Sequence, residues 1–305
     1  MAEKRNSSDF YWRGRPALDS GLTWSEVSRY DRQAVIVGTE WLTGTGTVRI
    51  SFQVIDGQDF EFLPGQWIAL EDEVPGVGPR RSPYCIYSPP NGEGRFNLLI
   101  RVLPDGPLSG HLAGLATGYP INFRGPRGRS IMPKPADTEL AMVATGVGLA
   151  PLYSLCRHLM TQGERRPIRL YWGLRLTDDI CLLDELDELV EGLADFRYQI
   201  SLTQPTADWP QLRGRVTESV PPLIERLGGK RFYLCGNGAM VEELELALCS
   251  FGVDRTSISE EKFFNLKHEP DRAVMEAIRG RFVADDRTAP DGRLRTQVWR
   301  ASARE

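Results

Sequence analysis

The feature that most limits what this chain can become is the run Leu140-Ala-Met-Val-Ala144, five apolar residues leading straight into Thr145-Gly-Val-Gly-Leu-Ala-Pro151. An unbroken apolar stretch of this length reads as a strand buried on both faces, as in a parallel sheet. The glycines allow a sharp turn and a close approach of backbone to an anion, and the helix after them points its first N–H groups at the same place. A glycine turn also serves as a plain tight connection, so by itself it leaves the ligand open. Pro151 stands where the usual dinucleotide fingerprint has its third glycine. In a first helical turn its preset φ and missing N–H are no disadvantage.

Beyond this turn the chain repeats the same logic. Leu152, Leu155, Cys156, Leu159 and Met160 share one helical face, and the spacing recurs in Leu182, Leu183, Leu186, Leu189 and Val190 and in Met240, Val241, Leu244, Leu248 and Phe251. Apolar strand segments at 168–174, 198–203 and 231–235 alternate with these helices. Residues 136–265 therefore read as an α/β domain with a mostly parallel sheet and helices on both faces. Upstream the period changes to two: Val48, Ile50, Phe52 and Val54 alternate with polar residues, as do Phe96, Leu98, Ile100 and Val102. Short strand-like pieces at Trp67–Leu70 and Tyr84–Tyr87 are set off by Pro64-Gly65 and by the run Val74 to Pro79. Residues 31–135 thus read as an antiparallel β-barrel or sandwich. The 305 residues suffice for two such domains, flanked by a polar N-terminal arm (1–30) and an arginine-rich C-terminal extension (266–305) with one short helix around Arg272–Arg281.

Composition removes several functions. The net charge of −4 argues against nucleic acid as the main partner. The five cysteines lack the tight pairs of a zinc or iron–sulfur site, and His111, His158 and His268 show no i, i+4 pairing, so no metal centre is expected. No stretch approaches a membrane span, and the start MAEKRNSSDF lacks the apolar core of a signal peptide, which makes a cytoplasmic location the expectation.

Seven motifs succeed one another in a fixed order: Phe62-Leu-Pro-Gly-Gln66, Arg81-Ser-Pro-Tyr-Cys-Ile-Tyr-Ser88, Gly106-Pro-Leu-Ser109, Gly125-Pro-Arg-Gly128, Thr145-Gly-Val-Gly-Leu-Ala-Pro151, Tyr171-Trp-Gly-Leu-Arg175 and Cys235-Gly-Asn-Gly-Ala-Met240. In this series the chain, over roughly residues 33–265, resembles the ferredoxin–NADP(+) reductase superfamily. The resemblance implies a barrel that binds FAD, an α/β domain that takes NADPH or NADH, and electron transfer between NAD(P)H and a one-electron carrier such as ferredoxin or flavodoxin. The Cys-x4-Cys-x2-Cys run of a fused [2Fe–2S] domain is not in the sequence. The carrier is accordingly expected to be separate, with the chain acting alone or as the reductase component of an oxygenase.

The same resemblance assigns residues. For FAD it points to Arg81, Tyr84, Cys85, Ile86 and Ser88, to Gly106, Leu108 and Ser109 as a second phosphate segment, and to Phe264 or its neighbour Phe263 as a cover for the flavin face. Cys85 stands where the family usually has serine, and the arginine comes one residue early, which leaves Arg80 in competition with Arg81. For the dinucleotide it points to Thr145, Gly146, Gly148, Leu149, Pro151, Arg175, Cys235, Gly236, Asn237 and Met240. Cys235, Cys85 and Tyr84 are the expected catalytic set, acting by alignment of the two rings and not as acids or bases. Arg175 suits a 2′-phosphate but Asp178 and Asp179 oppose one, so NADPH and NADH both stay open. Arg124, Arg127, Arg129 and Lys134 supply positive charge for docking an acidic carrier, or for a solvated loop. The alternatives are a free-flavin or small-molecule reductase, and an NAD(P)H-sensing flavoprotein interaction module.

Overall fold

Alternation in the first half of the chain becomes a six-stranded antiparallel sheet in the computed structural model, which describes residues 32–104, 106–224 and 226–263. Its strands are β1 (Arg32–Trp41), β2 (Thr47–Val54), β3 (Trp67–Val74), β4 (Gly78–Cys85), β5 (Arg95–Arg101) and β6 (Pro120–Arg127), with the short helix α1 (Pro107–Gly114) between the last two. The order is β4-β3-β6-β1-β2-β5. Ile36, Ile50, Phe52, Ile68, Leu70, Phe96, Leu98 and Phe123 point inward, all fully buried. The two edge strands touch only where Ile86 bridges Leu98, so the sheet curls into a half-barrel that gapes along the rest of β4 and β5. The run Val74 to Pro79 is a hairpin turn, and the strands on either side extend farther into it than the prolines and glycines imply.

The second half is a parallel sheet of β7 (Glu139–Thr145), β8 (Ile168–Leu174), β9 (Phe196–Leu202), β10 (Leu212–Arg213), β11 (Lys230–Asn237) and β12 (Ile258–Phe263), ordered β10-β9-β8-β7-β11-β12. Helices α2 (Leu149–Thr161), α3 (Leu183–Gly192), α4 (Val216–Ser219) and α5 (Gly238–Ser250) cover it. Successive residues of β7 feed opposite faces: Leu140, Met142 and Ala144 pack with α2 and α3, while Ala141 and Val143 pack with α4 and α5. This is why the run Leu140–Ala144 carries no polar residue.

The α2 side of that core continues into the barrel through Trp67, Cys85, Tyr87 and Leu99. Tyr87 stacks on Tyr153 with centroids 4.4 Å apart, Ser154 Oγ donates to the Ser88 carbonyl at 2.8 Å, and Arg49 meets Glu185 at 2.7 Å. Among the described residues no helix is long and apolar enough to cross a membrane. The N-terminal arm, Phe264 and the C-terminal extension lie outside the described residues.

Candidate functional site

A cleft of about 1430 Å³ runs along the gap between β4 and β5 and over the C-terminal ends of the parallel strands. Each half builds its wall differently. On the barrel side Ser82, Pro83, Tyr84 and Cys85 come from one diverging strand and Leu99, Ile100 and Arg101 from the other. Gly106, Leu108 and Ser109 close the far end. The Ser109 hydroxyl is engaged within its own turn, donating to the Gly106 carbonyl at 2.9 Å and accepting from Leu103 N–H at 3.2 Å. A side chain at Gly106 would meet that same hydroxyl at 2.9 Å, which is why the turn needs glycine there.

On the α/β side the wall is backbone. Thr145, Gly146 and Val147 line it at the end of β7, and Trp172 Nε1 holds the turn by donating to the Gly146 carbonyl at 2.9 Å. No described side chain caps the turn or the start of α2, and Leu149 N–H already donates to the Gly146 and Val147 carbonyls, so what faces the cleft for an anion to meet is the front of the turn at Gly146 and Val147. The start of α5 differs. Asn237 Oδ1 accepts from Ala239 and Met240 N–H at 3.0 and 3.3 Å, and Asn237 N–H donates to Thr145 Oγ1 at 2.8 Å. An anion is therefore drawn to the β7–α2 turn and not to the β11–α5 turn.

Gly148, Leu149 and Pro151 sit beneath this surface and do not line the cleft. A Cβ at Gly148 would run into the backbone of Cys235 and Gly236, so its glycine is required by strand packing. Gly146, at φ +53° with open space around its Cβ position, is the glycine that fronts the cleft. Cys235 is buried behind the wall in the core that also holds Cys85, and burial pushes its thiol well above the ordinary range, so it stays protonated at neutral pH. Cys181, which sequence reasoning passed over, borders the cleft with its thiol pushed up to about 12 by burial and by Glu185 and Asp179.

Several expectations meet a different arrangement. Arg81 is directed away from the cleft and ion-pairs with Glu71, its register partner on β3. Ile86 and Ser88 are buried at the closed end of the barrel, where the Ser88 hydroxyl accepts from Asn97 N–H at 3.0 Å. Arg124 is buried 4.0 Å from Glu71, whereas Arg127, Arg129 and Lys134 are exposed. Asp179 borders the cleft and reaches across to the barrel, where it accepts from Thr45 Oγ1 at 2.6 Å and from Arg101 Nη1 at 3.1 Å. Burial raises its carboxyl, but the bonds from Thr45, Leu176 N–H and Arg101 outweigh that and hold it below the ordinary range. Arg175 and Met240 do border the cleft, as does Phe263 at its last described edge.

Two family models divide the chain between them: an oxidoreductase FAD-binding domain over residues 40–131 and an oxidoreductase NAD-binding domain over residues 142–245. Ferredoxin–NADP reductase B of Sorangium cellulosum is 33% identical over 221 residues, which is 70% of this chain and 90% of that protein. The chain belongs to the ferredoxin reductase family. The reductase component of propane 2-monooxygenase from Gordonia is 31% identical over 221 residues; the match takes in 71% of this chain and only 63% of that protein's length. Among solved structures, the Amycolatopsis cytochrome P450 reductase GcoB superposes with a TM-score of 0.68 at 26% identity, over 76% of this chain and 69% of its own. As a member of this family, the chain is an NAD(P)H-dependent flavoprotein oxidoreductase with an FAD domain and an NAD(P) domain. The residues present fit FAD: two strand edges part around an apolar slot that Tyr84 and Leu99 border, and beyond it a glycine turn opens a helix.

Proposed function

We propose that the chain oxidises NAD(P)H in this cleft and passes the electrons to a separate one-electron carrier of the ferredoxin or flavodoxin kind. The observation that carries the reading is that a single cleft is bordered both by the parted edges of the barrel and by the uncapped β7–α2 turn. Its two walls are of a kind that holds two flat ring systems in contact, and hydride transfer needs that alignment more than it needs an acid or a base. When bound, FAD takes two electrons together and returns them one at a time, which is what couples a nicotinamide to a one-electron carrier.

The chain's own groups then have limited tasks. Tyr84 and Leu99 bound the flavin ring; Cys85 at the cleft's edge and Cys235 in the core behind the α/β wall set the distance between flavin and nicotinamide with polarizable bulk. Thr145 and Gly146 present the turn to the pyrophosphate, and Arg175 lies toward its adenosine end. Arg127, the last residue of β6, pairs with Trp67, whose other neighbour is Cys85, and Arg129 follows two residues on, so an acidic carrier docked there stands close to the flavin slot. The positive charge of that surface suits an acidic carrier.

Anaerobic titration tests this reading. The flavin-loaded protein is expected to be yellow, to bleach on addition of NADPH or NADH, and to regain colour on addition of oxidised ferredoxin or flavodoxin. A protein that neither holds nor can be reconstituted with FAD sinks the reading.

A further inference from the structure

We propose that Ser82, and neither arginine beside it, is the β4 side chain that meets the phosphate end of the flavin, so that FAD is held there by neutral donors as an exchangeable cofactor. The inference rests on the flavin reading above. Successive residues of a strand point to opposite faces. Tyr84 and Ser82 therefore share a face, opposite Ile68 and Leu70 of the barrel core, while Arg81 lies on the other, opposite Glu71. Ser82 borders the cleft; Arg81 does not, and its guanidinium is committed to Glu71. Pro83 and Cys85, of the same parity as Arg81, also border the cleft, so it is the ion pair with Glu71 that keeps Arg81 out of it. Arg80 shares the parity of Ser82 but sits one pleat farther toward the hairpin, exposed and donating to the Pro79 carbonyl at 2.8 Å.

Among the described residues, the one cation that the barrel half contributes to the cleft is Arg101. Its charge is already met by Asp179, and the same Nη1 donates to Thr45 and Thr47 at 3.2 and 3.3 Å. At the far end the Ser109 hydroxyl is spent within its turn. What remains for the flavin's phosphate oxygens is the Ser82 hydroxyl and the backbone N–H groups of Leu108 and Ser109, since Gly106 N–H donates to the Leu103 carbonyl at 3.0 Å and Pro107 has none. A hydroxyl or amide N–H offers a phosphate single hydrogen bonds without the countercharge and bidentate fork of a guanidinium, so the grip on this end is weaker and lets the flavin exchange.

The test is a fluorescence titration of the flavin-stripped full-length chain with FAD. Arg81→Gln and Arg80→Gln are expected to change the Kd by less than about twofold, and Ser82→Arg to tighten it by about tenfold or more with a salt dependence that the unaltered chain lacks. If Ser82→Arg does not fold, Ser82→Asp takes its place and is expected to loosen FAD by about tenfold through repulsion of the phosphates. A tenfold or greater loss of affinity in Arg81→Gln or Arg80→Gln overturns the proposal, as does an unchanged Kd in both Ser82 variants. Failure of the unaltered chain to bind FAD at all is a different outcome, which removes the flavin reading itself.

Discussion

The barrel wall of the cleft is made of side chains on two strand edges that part company, and the α/β wall of backbone turns at the ends of strands that stay paired. On the barrel side Ser82 to Cys85 and Leu99 to Arg101 reach the cleft because β4 and β5 have lost each other as partners beyond Ile86 and Leu98. On the α/β side every strand keeps its neighbours, and the cleft is met by the chain where it leaves the sheet, at Thr145–Val147, Leu174–Arg175, Asn237 and Phe263. The first wall therefore tolerates exchange of side chains of similar size, while the second depends on close approach of backbone to backbone. Glycine is indispensable in the second wall for a reason that has little to do with ligand.

The sharpest way to break this contrast is Gly148→Glu. Its side chain has no route past the Cys235–Gly236 backbone, and overpacking of this kind costs about 3 kcal/mol, the upper end of the usual range, so reduction by NAD(P)H should fall on the order of 100-fold while flavin stays bound. Stopped-flow reduction and flavin content are the measurements, and equal loss of flavin would show that the two walls are not independent. Thr145→Val should be milder. It leaves the Asn237 N–H without its acceptor, a loss of about 1–2 kcal/mol, to be read as roughly tenfold weaker dinucleotide binding at an unchanged flavin Kd.

Charge reversal of the exposed arginines asks whether the barrel also carries the exit route. Arg127→Glu with Arg129→Glu should slow transfer to an acidic carrier by roughly fivefold at low salt and flatten the salt dependence. Ferricyanide reduction should be retained; loss of both activities would place these residues at the flavin and not at the docking surface.

Acid should act on both halves alike. Asp56 is held at about 2 by hydrogen bonds from Arg32, and Glu164 at about 2 by those from Arg166. Both pKa values are depressed, so the stability they supply is complete above the ordinary carboxylate range and is lost as the pH falls from about 4 through about 2. Asp56→Asn and Glu164→Gln should each remove about 1–2 kcal/mol at neutral pH and flatten the denaturant midpoint below pH 5. The smallest effects belong to the two cysteines. Cys235→Ser should slow the limiting rate of flavin reduction about threefold with little change in dinucleotide affinity, and Cys85→Ser should stay within about twofold of the unaltered chain. An unchanged limiting rate in Cys235→Ser would leave that residue a packing role only.

Much of the architecture could be read from local pattern because its cause is local. Val48, Ile50, Phe52 and Val54 alternate since one face of β2 is core, and the run Leu140–Ala144 is wholly apolar since both faces of β7 are. β6 and β12 carry no such mark. Only Ile121, Phe123 and Arg124 of β6 are buried, and β12 buries no residue fully. They are strands because a neighbour offers them a free edge, which no window of sequence contains. The glycine turn, likewise, was visible in sequence, but not that Gly146 fronts the cleft while Gly148 lies against β11.

By itself, then, the sequence determined the two periods of the chain, the change between them near Pro133–Pro135, the order of its motifs, and the family those motifs belong to. Tertiary structure decided which of their side chains face the cleft. Arg81 and Ser82 are adjacent in the chain, and only the pairing of β4 with β3 gives Arg81 an ion pair with Glu71 while Ser82 borders the cleft. Asp179 and Arg101 are 78 residues apart, and only the docking of the two domains brings them together as an ion pair. Periodicity comes from the geometry of one strand or helix and can be read along the chain. Facing and pairing come from what a second segment brings to it, and that is settled only when the domains pack.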